Sequence, residues 1–364
     1  MKIQLVHKFE DIINIENLLE AWKEFLKGKK QRKDVQEFSM RLMDNIFSLH
    51  NDLINHTYKH GGYQAFKIND PKPRNIHKAG VRDRLLHHAI YRILYPFFDK
   101  TFIVDSYSCR PKKGTHKAVN RFREFAWKVS KNNTKTCWVL KCDIRKFFAN
   151  INQDILISIL REYIPDEDII ELLEKVIGSF NSPLTHFPSH PLLISPSGRG
   201  RGVRNIGLPL GNLTSQLFVN IYMNRFDQFV KHKLKVKYYI RYADDFVILA
   251  ENRKWPEEQI VLMREFLYCE LKLELHPDKI FIKTLASGMD FLGLINFPEH
   301  RILRTKTRKR MFKKIENKYN DWQGGLMLKD SLEQSLQSYF GMLKHCNGYG
   351  IVREIKEKYF YENC

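Results

Sequence analysis

Tyr242-Ala243-Asp244-Asp245 lies between two apolar, strand-like runs. Val236-Lys237-Tyr238-Tyr239-Ile240 precedes it and Phe246-Val247-Ile248-Leu249 follows. Their period-two alternation and their β-branched and aromatic content predict strands on both sides, with the acids at the bend of a hairpin. Adjacent carboxylates resist ionising together. A cation offsets that repulsion, and a divalent metal does so best. Taken alone, an Asp-Asp pair in a turn is more often simply solvated.

A third acid argues against simple solvation. Trp138-Val139-Leu140-Lys141-Cys142-Asp143 reads as a strand that ends on a carboxylate. An acid at the edge of a buried strand is costly unless partnered. Asp143 and Asp244 on neighbouring strands would clamp two Mg²⁺ ions about 3.5–4 Å apart, the arrangement for in-line phosphoryl displacement. Mg²⁺ takes oxygen ligands and keeps water, so two or three carboxylates plus substrate phosphates complete its shell.

Composition fits such a substrate. The chain has 364 residues, enough for two or three subdomains, and its 43% hydrophobic content allows well-packed cores. Lys and Arg number 61 against 41 Asp and Glu, a formal charge of +20. That excess calls for a polyanion: nucleic acid is the leading reading and an anionic membrane the weaker one. No apolar run is long enough to span a bilayer, and Met1-Lys2-Ile3-Gln4 does not open a signal peptide. The cysteines at 109, 137, 142, 269, 346 and 364 form no C-x-x-C pair. A reduced, cytoplasmic protein without a zinc site or a membrane partner is expected.

Taken in order, Ile15 to Leu26 and Val35 to Leu53 carry helical periodicity, predicting two helices. Lys27 to Lys33 between them is a basic bend, either solvated or touching RNA. A short strand is expected at 65–68, a Pro-punctuated basic turn at 69–74, an amphipathic helix at 83–98, and another basic turn at 110–116 leading into a helix. Lys72 and Arg74 in the first turn would grip a triphosphate, Arg offering a bidentate fork. Residues 153–178 read as two helices. From 181 to 206 Pro, Ser, His, Gly and Arg dominate, predicting a loop insertion in which Arg199, Arg201 and Arg204 meet a phosphate backbone or merely tether. Gly207 to Gln216 leads into a long helix, its glycines allowing close approach to a base pair. A helix from Pro256 to Leu271, a strand-turn-strand over 273–282 and a single strand over 289–295 follow. The tail holds Arg304, Lys306, Arg308, Lys309, Arg310, Lys313, Lys314 and Lys318, with Met311, Ile315 and Tyr319 keeping an apolar stripe, and a second helix carries Leu332 to Leu343.

In this order the motifs resemble those of reverse transcriptases, from about residue 15 to 350. Lys72-Pro73-Arg74 through Asp83-Arg84 and Asp105 to His116 resemble the two fingers motifs. Asp143 to Phe148, Gly207 to Gln216 and Tyr242 to Asp245 resemble palm motifs A, B and C. Lys279 and Phe291-Leu292-Gly293 fit the two that follow, and Ser338 to His345 resembles the start of a thumb. Within the family the likeness is to the diversity-generating retroelement type and related bacterial defence enzymes. Group II intron and retroviral enzymes typically place Gln before the glycine of motif B and Pro after its serine, where this chain has Leu210 and Gln216.

The resemblance implies an α+β right-hand polymerase: an N-terminal helical extension (1–60), fingers (61–135), a palm of antiparallel sheet and helices with the insertion (136–298), and a helical thumb (299–364). It implies RNA-templated DNA synthesis from dNTPs with two Mg²⁺ ions. Asp143 and Asp244 become metal ligands, Asp245 a supporting acid and Lys279 a candidate proton donor to pyrophosphate. Lys72, Arg74, Leu210 and Gly211 fall at the incoming nucleotide, and Phe148 where a ring excludes the 2′-hydroxyl. Arg110, Gln216, Lys309, Arg310 and Lys313 face template and primer. A structured, dedicated RNA template, a nucleic-acid primer and a small basic accessory protein are the implied partners. A defence enzyme copying a non-coding RNA and a silent maturase-like RNA-binding protein are the alternatives.

Overall fold

The computed structural model describes residues 3–69, 73–181 and 206–360. In chain order the helices and strands begin with α1 (Phe9–Ile13), α2 (Ile15–Phe25), α3 (Lys33–Met40), α4 (Leu42–Ile54), β1 (Tyr63–Ile68), β2 (Arg74–Ala79), α5 (Val81–Asp99) and α6 (Thr115–Val129). Then come β3 (Trp138–Asp143), α7 (Phe147–Asn150), α8 (Gln153–Arg161), α9 (Glu167–Gly178), α10 (Leu213–Gln228), β4 (Tyr239–Tyr242), β5 (Asp245–Ala250) and α11 (Lys254–Leu271). Last are β6 (Phe281–Thr284), β7 (Met289–Phe291), β8 (Leu294–Asn296), β9 (Arg301–Leu303), α12 (Thr305–Gln323), α13 (Lys329–Leu343) and α14 (Tyr349–Phe360). They cluster into two compact units, one from 1–104, 144–235 and 262–277, the other from 105–143, 236–261 and 278–364.

The first unit is mainly helical. α2 and α10 both pack on α5, whose Leu85, Leu86, Ala89 and Ile90 are buried. Where two N-terminal helices were expected there are four. Asn14 ends α1 and caps α2, its side chain accepting from the Asn17 amide. Arg41, at φ −124° and ψ 45°, parts α3 from α4. The β1–β2 hairpin runs from the Tyr63–Ala79 pair to the Ile68–Arg74 pair, so Arg74 opens a strand the sequence left in a turn. Asp83, buried at the start of α5, accepts from the Tyr58 hydroxyl (2.8 Å) and the Gly61 amide (3.2 Å).

The second unit holds a four-stranded sheet of order β4-β5-β3-β6 and a three-stranded sheet of order β7-β8-β9. Along β3 and β5, Val139, Val247 and Leu249 face a core filled by Val119, Phe122 and Phe125 of α6 and by Phe291. The run 289–295 is a hairpin, not one strand. Leu292 and Gly293 both take positive φ (52° and 88°), and β7 turns back onto β8. Residues 273–276 lack the expected strand, and only β6 forms in that stretch. The basic tail is helical as its stripe predicts, with Met311 and Ile315 buried in α12. A helix not anticipated, α14, ties to it through Arg308–Glu354 (2.7 Å) and Lys358–Glu316 (3.0 Å).

Candidate active site

The acids converge within the second unit. β4 and β5 form the hairpin that the flanking alternation predicts, with Tyr242 opposite Asp245 and Ala243-Asp244 in the turn. Ala243 takes φ 56°, a left-handed conformation that lets the turn close in so few residues. β3 lies on the other side of β5, and its register sets Asp143 directly across from Asp245.

Burial shapes the electrostatics. Burial and then the negative charge of Asp143 push the Asp244 carboxyl up to about 6. Asp245 is also raised, again by burial first, with the charge of Lys141 opposing it. Lys279 donates from Nζ to Asp143 Oδ1 at 2.7 Å. Lys141 Nζ donates to the Asp290 carbonyl (3.1 Å) and stands 3.5 Å from Asp245 Oδ1, an oxygen that is buried and makes no hydrogen bond.

This donor set fits a hard divalent cation: three carboxylates, two disfavoured as bare anions, one with an unsatisfied buried oxygen. The set is open rather than clenched. Among the described residues, only His56, Asp168 and Glu171 bring three potential ligand atoms within 4.8 Å of one another, and that exposed group already has Lys175 on Glu171.

Two residues missed in the sequence support the hairpin. Lys141 precedes Asp143 by two positions and shares its face of β3, a period-two relation that was visible. Arg241 is fully buried. Its Nη1 donates to the Ala243 carbonyl (3.1 Å) and its Nη2 to Ser106 Oγ (3.2 Å), so a guanidinium braces the acidic turn from behind. Ser106 pairs with Arg241 as a parallel bridge, and the Tyr107 amide donates to the Arg241 carbonyl at 3.0 Å. The stretch from Asp105 thus serves as a brace for the hairpin.

The remaining candidates distribute as follows. Lys72, Arg199, Arg201 and Arg204 lie outside the described residues. Arg74, Phe148, Leu210, Gly211 and Gln216 belong to the first unit. There Phe147 is buried while Phe148 is half-buried, its carbonyl accepting from the Leu208 amide at 2.8 Å. Leu210 and Gly211 run beside β2: the His77 amide donates to the Leu210 carbonyl (2.9 Å), and Asn212 Nδ2 donates to the His77 carbonyl (2.9 Å). Gly211 has φ +107°, and a Cβ there would lie 2.7 Å from Ile76 Cγ2. The close approach its missing side chain permits is therefore to β2. Gln216 is half-buried in the first turn of α10. In the second unit Arg110 Nη1 donates to the Ser106 carbonyl (3.0 Å), and Lys309, Arg310 and Lys313 are exposed on α12.

Residues 66–296 match the family described as reverse transcriptase (RNA-dependent DNA polymerase). The chain belongs to the reverse transcriptase family. Its α+β content is that of the family's right-hand polymerase fold. Among curated proteins this reverse transcriptase is 25% identical over 269 residues to the protein YkfC of Escherichia coli K12, covering 65% of each chain. It is 24% identical over 310 residues to the group II intron-encoded protein LtrA of Lactococcus lactis, covering 67% of this chain and 47% of LtrA. The chain thus spans less than two thirds of the length of either relative. A solved apo telomerase from Candida tropicalis, truncated from the C-terminal domain, aligns over 70% of this chain and 59% of its own at 13% identity and a TM-score of 0.46. Among the described residues no helix is long and apolar enough to cross a membrane.

Proposed function

We propose that this reverse transcriptase is an active RNA-directed DNA polymerase that extends a primer on an RNA template with dNTPs. The observation that carries the reading is the placement of Asp143 across from Asp245 with Asp244 in the adjoining turn, in a chain of this family. In this reading Asp143 and Asp244 hold two Mg²⁺ ions and Asp245 supports them. When bound, the ions lower the pKa of the attacking primer hydroxyl and offset charge on the leaving pyrophosphate. Lys141 and Arg241 keep the acids in place, one beside Asp245 and one behind the turn. Lys279, released from Asp143, donates a proton to the leaving group. Lys72 and Arg74 bind the triphosphate, and Phe148 excludes ribose. Arg110, Gln216 and the exposed cations of α12 bind template and primer. Fingers over 61–135, palm over 136–298 and thumb over 299–364 are part of the same proposal.

The finer reading is an error-prone enzyme of the diversity-generating type, supported by Leu210 and Gln216 in the motif before α10. It would copy a dedicated structured RNA with a small basic accessory protein. A second reading is favoured by the likeness to LtrA: a protein that serves an intron RNA, with or without synthesis. Metal-dependent primer extension by purified protein separates polymerase from silent binder. Extension that is absent, or that survives Asp244→Asn, defeats the proposal. Sequencing the RNA that copurifies separates a dedicated non-coding template from an intron.

A further inference from the structure

A cleft of about 400 Å³ opens within the second unit, and it shares no residue with the carboxylate cluster. Its walls are α6, the turn between β8 and β9, and the segment after α13. That turn stands at the end of the small sheet opposite Leu292-Gly293. The volume is in the roughly 300–1,000 Å³ range of small-ligand sites.

The lining is cationic: it holds Arg123, Arg301 and Lys344, with His300 and His345 beside them. The acid of the lining, Glu299, already accepts from Asn133 Nδ2 at 2.8 Å. Among the described residues no carboxylate forms an ion pair with Arg123, Arg301 or Lys344. Arg301 is held in place: its Nη2 donates to Asn120 Oδ1 (3.0 Å), and its carbonyl accepts from the Asn347 amide (2.7 Å). Its Nη1 is buried and has no hydrogen-bond partner. An unmade buried donor is costly, and more so when the group is charged. Burial, and next the like charge of Arg123, lower the pKa of Arg301, as expected where a matching anion is missing.

We propose that this cleft binds a phosphate group, its charge balanced by Arg301, Arg123 and Lys344 of the lining. Three cations against one carboxylate suit a phosphate anion, whether a monoester carrying about −1.5 to −2 near neutral pH or a singly charged phosphodiester. Arginine's fork matches its oxygens. The phosphate would come from a free nucleotide or from the backbone of a bound strand.

The test is titration of the full chain with inorganic phosphate at constant ionic strength, read by thermal denaturation. Wild-type protein should gain stability with phosphate over potassium chloride. Arg123→Gln, an exposed change, and Arg301→Lys, which keeps charge but loses the fork, should each weaken the effect about tenfold. Lys128→Gln, on the same helix, should match wild type. Binding AMP more tightly than inorganic phosphate would identify a free nucleotide as the source. A drop of about one in the salt slope of single-stranded RNA binding in Arg123→Gln would identify a strand. No gain in the wild type beyond that of chloride, or equal gains in wild type, Arg123→Gln and Arg301→Lys, overturns the proposal.

Discussion

Lys279 Nζ donates to Asp143 Oδ1 at 2.7 Å, so a carboxylate assigned here to metal binding already carries a cation. The lysine and a metal ion compete for the same oxygen. Lys279→Gln should therefore lower the Mg²⁺ concentration needed for half-maximal primer extension. At saturating Mg²⁺ it should slow incorporation by about 10²-fold, the usual worth of a positioned proton donor. A magnesium titration of single-nucleotide incorporation gives both values. An unchanged Mg²⁺ requirement would show that the ion pair does not compete.

Asp244 has a folded-state pKa near 6, above the ordinary 3.8. Between those values the folded chain binds the proton more tightly than the unfolded chain, so this group's contribution to stability falls as pH rises from about 4 to 6. Above pH 6 the metal-free protein bears the whole penalty. Asp244→Asn should then be more stable than wild type at pH 8 without metal, by on the order of 1–3 kcal/mol. Mg²⁺ should raise the wild-type melting temperature and leave the variant unmoved. DNA synthesis by the variant should fall at least 10³-fold.

Gly211 combines φ +107° with Ile76 Cγ2 at 2.7 Å from the site of a Cβ. Gly211→Ala should destabilise by about 1–3 kcal/mol from backbone strain, with the clash added. Ile76→Ala in the same chain removes the methyl and should recover only the steric part. Thermal melts of the single and double variants measure the split.

Phe148 is half-buried while its neighbour Phe147 is buried in the core. Phe148→Ala should raise ribonucleotide incorporation relative to deoxyribonucleotide, with little change in melting temperature. Phe147→Ala should do the reverse, costing about 3–5 kcal/mol of stability. Equal ribonucleotide use by wild type and Phe148→Ala would remove the steric role.

In the proposed error-prone reading Leu210 replaces a polar side chain that would help discriminate the nascent pair, and about 1 kcal/mol of lost hydrogen bonding corresponds to a several-fold error rate. Leu210→Gln should reduce misincorporation, above all opposite template adenine. Sequencing of products from both proteins measures it.

The hairpin around Asp244 and Asp245, the strand ending at Asp143 and the buried stripe of α12 were all readable from residue order. Alternation and helical spacing are local properties, fixed by which faces must leave water. The turn at Leu292-Gly293 was not readable, because an apolar leucine gives no sign of its positive φ, and the run passed for one strand. Nor could local pattern set the register of Asp143 on Asp245, place Lys279 on Asp143, or put the Arg241 guanidinium behind the acidic turn. Those contacts join segments far apart in the chain. Their geometry follows from how the sheet and α6 pack, and only that packing determines which cation meets which carboxylate.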